Sequence, residues 1–178
     1  MPEHILQFWF VETDQKDWWR ARPEFDALLA ERFGALLQQA ARGELFRWRA
    51  TPGGRLAEII VLDQFSRNIG RNSPAAFAQD GMALVLAQEA VAAGALSALD
   101  NPAQRAFLLM PYMHSESASI HSEAEQLFRV WAPQNLEFEL RHKAIIDRFG
   151  RYPHRNQILA RASSAAEEAF LLEPGSSF

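Results

Sequence analysis

Hydrophobic positions recur at helical spacing along nearly the whole chain. Pro23 opens and Gly43 closes a segment of about 20 residues in which Phe25, Leu28, Leu29, Phe33, Leu36 and Leu37 share one face. Thr51-Pro52-Gly53-Gly54 is turn chemistry. From Leu56 to Ile69 the chain is apolar on almost every side, which predicts a central, buried helix. Its β-branched run also suits a buried strand, but no other segment alternates, and helix is the reading adopted here. Ser73-Pro74 starts another long helix, ended by Gly94. Asn101-Pro102 starts a fourth that reaches Met110 before Pro111. Ser117–Trp131 and Leu136–Phe149 make two more, separated by Ala132-Pro133-Gln134 and closed by Gly150. Ser164-Ala165-Ala166-Glu167 is a capping box for a last helix to about Leu172. The pattern predicts an all-α fold of antiparallel helical neighbours, one domain over residues 1–178 with 173–178 as a frayed tail. No 34-residue repeat is visible.

Composition narrows the function classes. A chain of 178 residues can bury its own core without disulfides or metals. It has no cysteine, which removes thiolate catalysis and Cys-ligated zinc or iron–sulfur sites. A net charge of −4 argues against nucleic-acid binding. Apolar runs are too short for a membrane span, and Met1-Pro2-Glu3-His4 does not begin a secretory signal, so a cytoplasmic location is expected.

Charge is distributed unevenly. Asn72 to Gln104 holds no Lys or Arg, whereas Arg141 to Arg161 holds six basic residues and two His against one acid, Asp147. A locally positive surface on an acidic protein implies a small anionic partner, or an acidic patch elsewhere in the same fold. The densest stretch is Arg148-Phe149-Gly150-Arg151-Tyr152-Pro153-His154-Arg155-Asn156, with a shorter echo at Asp63-Gln64-Phe65-Ser66-Arg67-Asn68. Guanidinium forks suit planar, bidentate contacts to carboxylate or phosphate.

Asp63 and Arg67 lie four apart on the helix expected to be buried, as either a satisfied structural pair or part of a ligand pocket. His142 falls on the apolar stripe Phe138, His142, Ile145, Phe149 and reads first as a core histidine. His114-Ser115-Glu116 and His121-Ser122-Glu123 repeat a tripeptide, but on one helix their histidines would stand about 10.5 Å apart along the axis, too far to share a metal. No metal site and no cofactor are expected. His121 and Glu123 read as a solvated helix face, whereas His114 and Glu116 fall at a helix end after Pro111. The five tryptophans read as packing between helices.

Four segments together resemble the bacterial family of proteins carrying domain of unknown function 924. They are Leu6-Gln7-Phe8-Trp9-Phe10, Leu62-Asp63-Gln64-Phe65-Ser66-Arg67-Asn68, Met110-Pro111-Tyr112-Met113-His114-Ser115-Glu116 and Arg148 to Asn156. The resemblance implies an all-α, TPR-like right-handed superhelix and no established activity. The motif positions it carries over are Asp63, Gln64, Arg67, Asn68, His114, Ser115, Glu116, His142, Arg151, His154, Arg155 and Asn156. The departures are Ser66 for the usual Pro, Tyr152 for Phe, Ala160 for Gly, and Ser163-Ser164 for Ser-Thr or Thr-Pro.

Three functional readings follow. In the first, Asp63, Arg67, Asn68, His142, Arg151, Arg155 and Asn156 line a binding pocket for an anionic small molecule or peptide group. There Arg67, Arg151, Arg155, His154 and Asn156 converge in a concavity, with Asp63 and Glu116 orienting the arginines. In the second, His114 or His154 is a general base oriented by Glu116, in a hydrolase or transferase acting on an anionic substrate. In the third, the same residues are a buried lock that closes the C-terminal helices onto the central one. No nucleic-acid or membrane partner is expected.

Overall fold

The computed structural model describes residues 1–177, and every regular element in them is helical. Helix α1 (Pro2–Gln7) runs without a break into a π-helical turn, Phe8–Glu12. This segment buries Ile5, Phe8 and Trp9. Helix α2 (Pro23–Ala41) has Pro23 in its first turn and turns Phe25, Leu29, Phe33 and Leu37 inward; Gly43, at φ 72°, closes it. The aromatic rings interlock: Trp9 meets Phe107 edge-on at 5.5 Å and lies 5.6 Å from Phe65. That is the packing use expected of the tryptophans, with Trp19 as the exposed exception.

The apolar run forms a helix rather than a strand. Helix α3 (Pro52–Ile60) continues through a π-helical turn, Val61–Phe65, into the short α4 (Ser66–Ile69), and every residue from Leu56 to Ser66 is buried. Thr51 caps α3 by accepting a hydrogen bond from the Gly54 N–H. Gly54 is required there, because a Cβ would stand 1.9 Å from the Trp48 carbonyl oxygen.

Two boundaries differ from expectation. Pro74 opens only a 3-10 turn, Pro74–Ala76, and the long helix α5 begins at Asp80 and ends at Ala92. Ser73 does not cap it; its hydroxyl bonds back to the Gly70 carbonyl. After the short α6 (Ala95–Ala98), α7 (Pro102–Met113) passes through Pro111 instead of stopping before it. Burial of the residues from Ala106 to Met113 outweighs the one hydrogen bond the proline lacks.

Helices α8 (Ala118–Trp131) and α9 (Leu136–Phe149) follow, and Gly150 closes α9 at φ 70°. Helix α8 packs against both α7 and α9. The predicted capping box is formed at Ser164 and Glu167 and opens α10 (Ala165–Leu171). The tail expected to fray is tied down at Ser176, which is buried and donates its hydroxyl to the Leu171 carbonyl; Phe178 lies outside the described residues. Most helices share one hydrophobic core, while Ile145 and Ile146 of α9, Tyr152 and Phe170 of α10 form a smaller one. No described helix is long and apolar enough to cross a membrane.

Candidate functional site

A cleft of about 350 Å³ opens between the start of α5, the turn after α7 and the 3-10 turn Pro153–Arg155. Its apolar side is made by Phe77, Leu84, Pro111 and Leu159, and its polar side by Asp80, His114, Glu116 and Arg155.

The centre of the polar side is a pair. His114 Nδ1 lies 2.8 Å from Asp63 Oδ1, and Gln64 Nε2 donates to the other Asp63 oxygen at 2.6 Å. Arg67 NH1 adds a third contact at 3.0 Å. Asp63 lies in the π-helical turn Val61–Phe65, a type of helix irregularity frequent at functional sites. Burial by itself raises the Asp63 carboxyl, but the charges of Arg67 and His114 and the bonds from His114 and Gln64 outweigh it and hold it well below the usual carboxylate range. His114 moves below the ordinary imidazole value, because burial and Arg67 together outweigh the pull of Asp63. Asp63 is therefore ionised and His114 neutral. The ring proton sits on Nδ1, which leaves Nε2 as an acceptor with no partner among the described residues.

Beside this pair two arginines converge on one carboxylate. Arg67 gives Asp80 a two-pronged contact at 2.8 and 3.0 Å, and Arg155 NH1 adds one at 3.2 Å. Arg155, only 4% exposed, also donates to the His114 carbonyl at 3.0 Å. Its guanidinium is sandwiched between the rings of Phe77 and Tyr152, 4.5 and 4.7 Å from their centroids.

The other expected site residues are engaged by different partners. Glu116 does not orient a histidine; it clamps Arg161 through two bonds of 2.7 and 2.9 Å and accepts the Tyr152 N–H at 2.7 Å. Asn156 is tied to Arg161 and Ser163. Arg151 does not join Arg67 and Arg155: it forks onto Glu167 at 2.6 and 2.8 Å, in a separate groove by α10. Asn68 turns toward α2, bonding the Gln64 carbonyl and accepting from Arg71, which in turn pairs with Asp26. His142 is buried, as its apolar stripe predicted, and bonds the Phe138 carbonyl at 2.7 Å; burial lowers it to about 3. His154 packs 5.7 Å from the Tyr152 ring, and burial followed by the charge of Arg155 lowers it to about 4.

His121 corrects the solvated-face reading. It is fully buried, with Nδ1 2.7 Å from Glu139 Oε1 and Nε2 2.9 Å from the Ser115 carbonyl. Sequence reasoning also missed Asp80, Phe77 and Arg161. For Asp80 a signal existed: it lies in the cation-free stretch from Asn72 to Gln104, the acidic complement that the basic C-terminal third requires. Among the described residues no three His, Asp or Glu side chains are grouped as a metal ligand set.

The described residues thus form an all-helical fold around a buried Asp–His–Arg cluster. The chain belongs to the family described as bacterial protein of unknown function, DUF924, whose model matches residues 5–175. It is similar to a solved structure of a protein of unknown function from Agrobacterium tumefaciens, with 32% identity, 96% of each chain covered and a TM-score of 0.90. No curated protein matches it.

Proposed function

We propose that the cleft receives a small molecule bearing an anionic group, which faces Arg155 and Arg67 and meets His114 Nε2. The observation that carries this reading is the convergence of two arginines, from the central helix and from the Pro153–Arg155 turn, on a single carboxylate edge that borders the open space. A forked guanidinium contact, reinforced by a single bond from a second arginine, is a usual means of holding carboxylate or phosphate. A space of about 350 Å³ suits a metabolite-sized ligand better than a folded partner. The helices are read as antiparallel pairs in a TPR-like right-handed array, a reading supported by the short connections that join α7 to α8 and α8 to α9. In that array the cleft is the concave side. A thermal-shift screen of phosphorylated metabolites and dicarboxylates tests the binding. Saturable stabilisation is expected for the wild type and not for Arg155→Lys, which keeps the charge and loses the fork. A flat screen with folded wild-type protein ends this reading.

The Asp63–His114 pair favours a second reading, acid–base chemistry on the bound molecule. A buried carboxylate that fixes the tautomer of a neutral imidazole, with the other ring nitrogen turned away from it, is the arrangement of a general base. Arg155 would then face developing negative charge. Turnover in a panel of phosphate and carboxylate esters, lost in a folded His114→Gln variant that still binds, raises this above binding alone. The Glu116–Arg161, Arg151–Glu167 and His121–Glu139 pairs suit the lock reading and are assigned there.

A further inference from the structure

Asp80 differs from the other acids of the cleft. Asp63 is sealed in the core at 1% exposure, and Glu116 is clamped by Arg161 and the Tyr152 N–H. Asp80 stands at the first residue of α5 with its side chain 20% exposed, yet its two oxygens collect three guanidinium N–H bonds from two arginines. A planar carboxylate bridging the fork of one arginine and the NH1 of a second is the arrangement an incoming carboxylate would adopt. Asp80 does not saturate Arg155 either. The Nε–H of Arg155 is buried without an acceptor, and its NH1 contact is the longest of the three. Arg155 is also pushed below the ordinary guanidinium value by burial and by Arg67, with Asp80 and Glu116 restoring only part. Arg155 is thus left short of negative charge beside the well-paired Arg67, next to a wall made of Phe77, Leu84, Pro111 and Leu159.

We propose that Asp80 is an internal stand-in for the ligand, and that the ligand is a small carboxylic acid with an apolar body whose carboxylate takes the Arg67–Arg155 position while Asp80 turns to solvent. The proposal rests on the anion-cleft reading above and names its ligand class. Displacement is feasible because Asp80 already borders solvent and is attached to the end of a helix rather than its middle. Charge at the arginines is conserved by the exchange, since one carboxylate replaces another. What favours the incoming acid is its body: each CH₂ buried against Phe77 and Leu84 tightens binding about fourfold. The apolar wall thereby sets the preference for acids with a hydrocarbon portion.

Calorimetric titration of the full chain with straight-chain carboxylates from acetate to octanoate, and with inorganic phosphate, tests the proposal. In Asp80→Asn, which keeps the side-chain size and removes the competing charge, hexanoate is expected to bind about tenfold tighter than in the wild type. Affinity is expected to rise with chain length in both. Adding Arg155→Lys to Asp80→Asn is expected to reverse the gain. Far-UV circular dichroism establishes folding, and Asp80→Ser takes the place of Asn if that variant is unfolded. Equal hexanoate affinity in wild type and variant overturns the stand-in role and leaves the anion-cleft reading intact. Phosphate binding tighter than every carboxylate overturns the ligand class. A gain that survives Arg155→Lys puts the acid elsewhere and overturns the proposal. Absence of any anion binding in both proteins overturns this proposal together with the reading it rests on.

Discussion

Asp63 Oδ1 lies 2.8 Å from His114 Nδ1, across 51 residues of chain, and joins the buried middle of the central helix to the end of α7. The contact tolerates burial because the carboxylate is multiply satisfied. Gln64 holds its second oxygen, and Arg67 supplies the countercharge while itself pairing with Asp80. Asp63 is thus both a structural member and the group that decides which nitrogen of His114 remains an acceptor.

Removing Asp63 leaves Arg67 and His114 without their common partner. Asp63→Ala is expected to cost about 3–5 kcal/mol in urea denaturation, the range for breaking a buried pair from one side. A loss below about 1 kcal/mol, the value of an exposed pair, would show that the network is not a lock.

Stability is expected to fall as pH drops below neutrality. His154 and His142 are lowered to about 4 and about 3, and His114 is lowered as well, each chiefly by burial. In the unfolded chain these rings bind protons near pH 6.5, so below that pH the unfolded state takes up protons that the fold refuses. Their contribution is present above pH 6.5 and is lost as pH falls toward the folded values. The depressed carboxyl of Asp63 adds stability that is lost only in more acid solution, below about pH 3.9. Each histidine adds a slope of up to about 1.4 kcal/mol per pH unit. Urea midpoints measured from pH 7 to 4.5 check this, and His154→Gln should flatten the profile. A level profile for the wild type contradicts it.

Glu139 and His121 are expected to respond to shape more than to charge. His121 Nε2 faces the Ser115 carbonyl at 2.9 Å and the Tyr152 hydroxyl oxygen at 3.1 Å, so it carries the hydrogen and Nδ1 can accept. Burial raises the Glu139 carboxyl, which favours the form that donates. Glu139→Gln keeps such a donor and should cost about 1 kcal/mol or less, whereas Glu139→Ala should cost about 3 kcal/mol. Imidazole nitrogen NMR shifts for His121 should match between wild type and Glu139→Gln; loss of the Nε2–H signal would contradict the assignment.

Two backbone substitutions should act in opposite directions. Ala160 has φ 52°, in the left-handed region, where the family resemblance places glycine. Ala160→Gly is expected to stabilise the fold by about 0.5–1 kcal/mol by relieving that strain. Gly54→Ala drives a Cβ to 1.9 Å from the Trp48 carbonyl oxygen and should cost at least about 2 kcal/mol. Melting temperatures measure both, and a destabilised Ala160→Gly would show that the turn is held by something other than glycine-like freedom.

The helices were legible in the sequence wherever the deciding forces are local. Apolar spacing and a helix-stop glycine mark α2 and α9, and Ser164 with Glu167 marks the start of α10, because capping and i to i+4 contacts lie within one turn of chain. Asp63 and Arg67 were visible for the same reason, since charged residues on an apolar stripe are a local anomaly, while His114 stood out at a helix end and Arg155 in a dense run of arginines. Pro111 misled because burial of its helix overrode the local signal, and Ser73 because its hydroxyl bonds back to the Gly70 carbonyl instead of capping a helix. His121 looked solvated until α9 brought Glu139 against it, and Arg151 looked like a neighbour of Arg155 until Glu167 drew it away. The sequence by itself determined which segments are helical and which polar residues are out of place among apolar ones. Only the tertiary structure decided that Asp63 belongs to His114 and that Asp80 lies under two arginines, because partner choice depends on how helices far apart in the chain pack, and no local pattern records that.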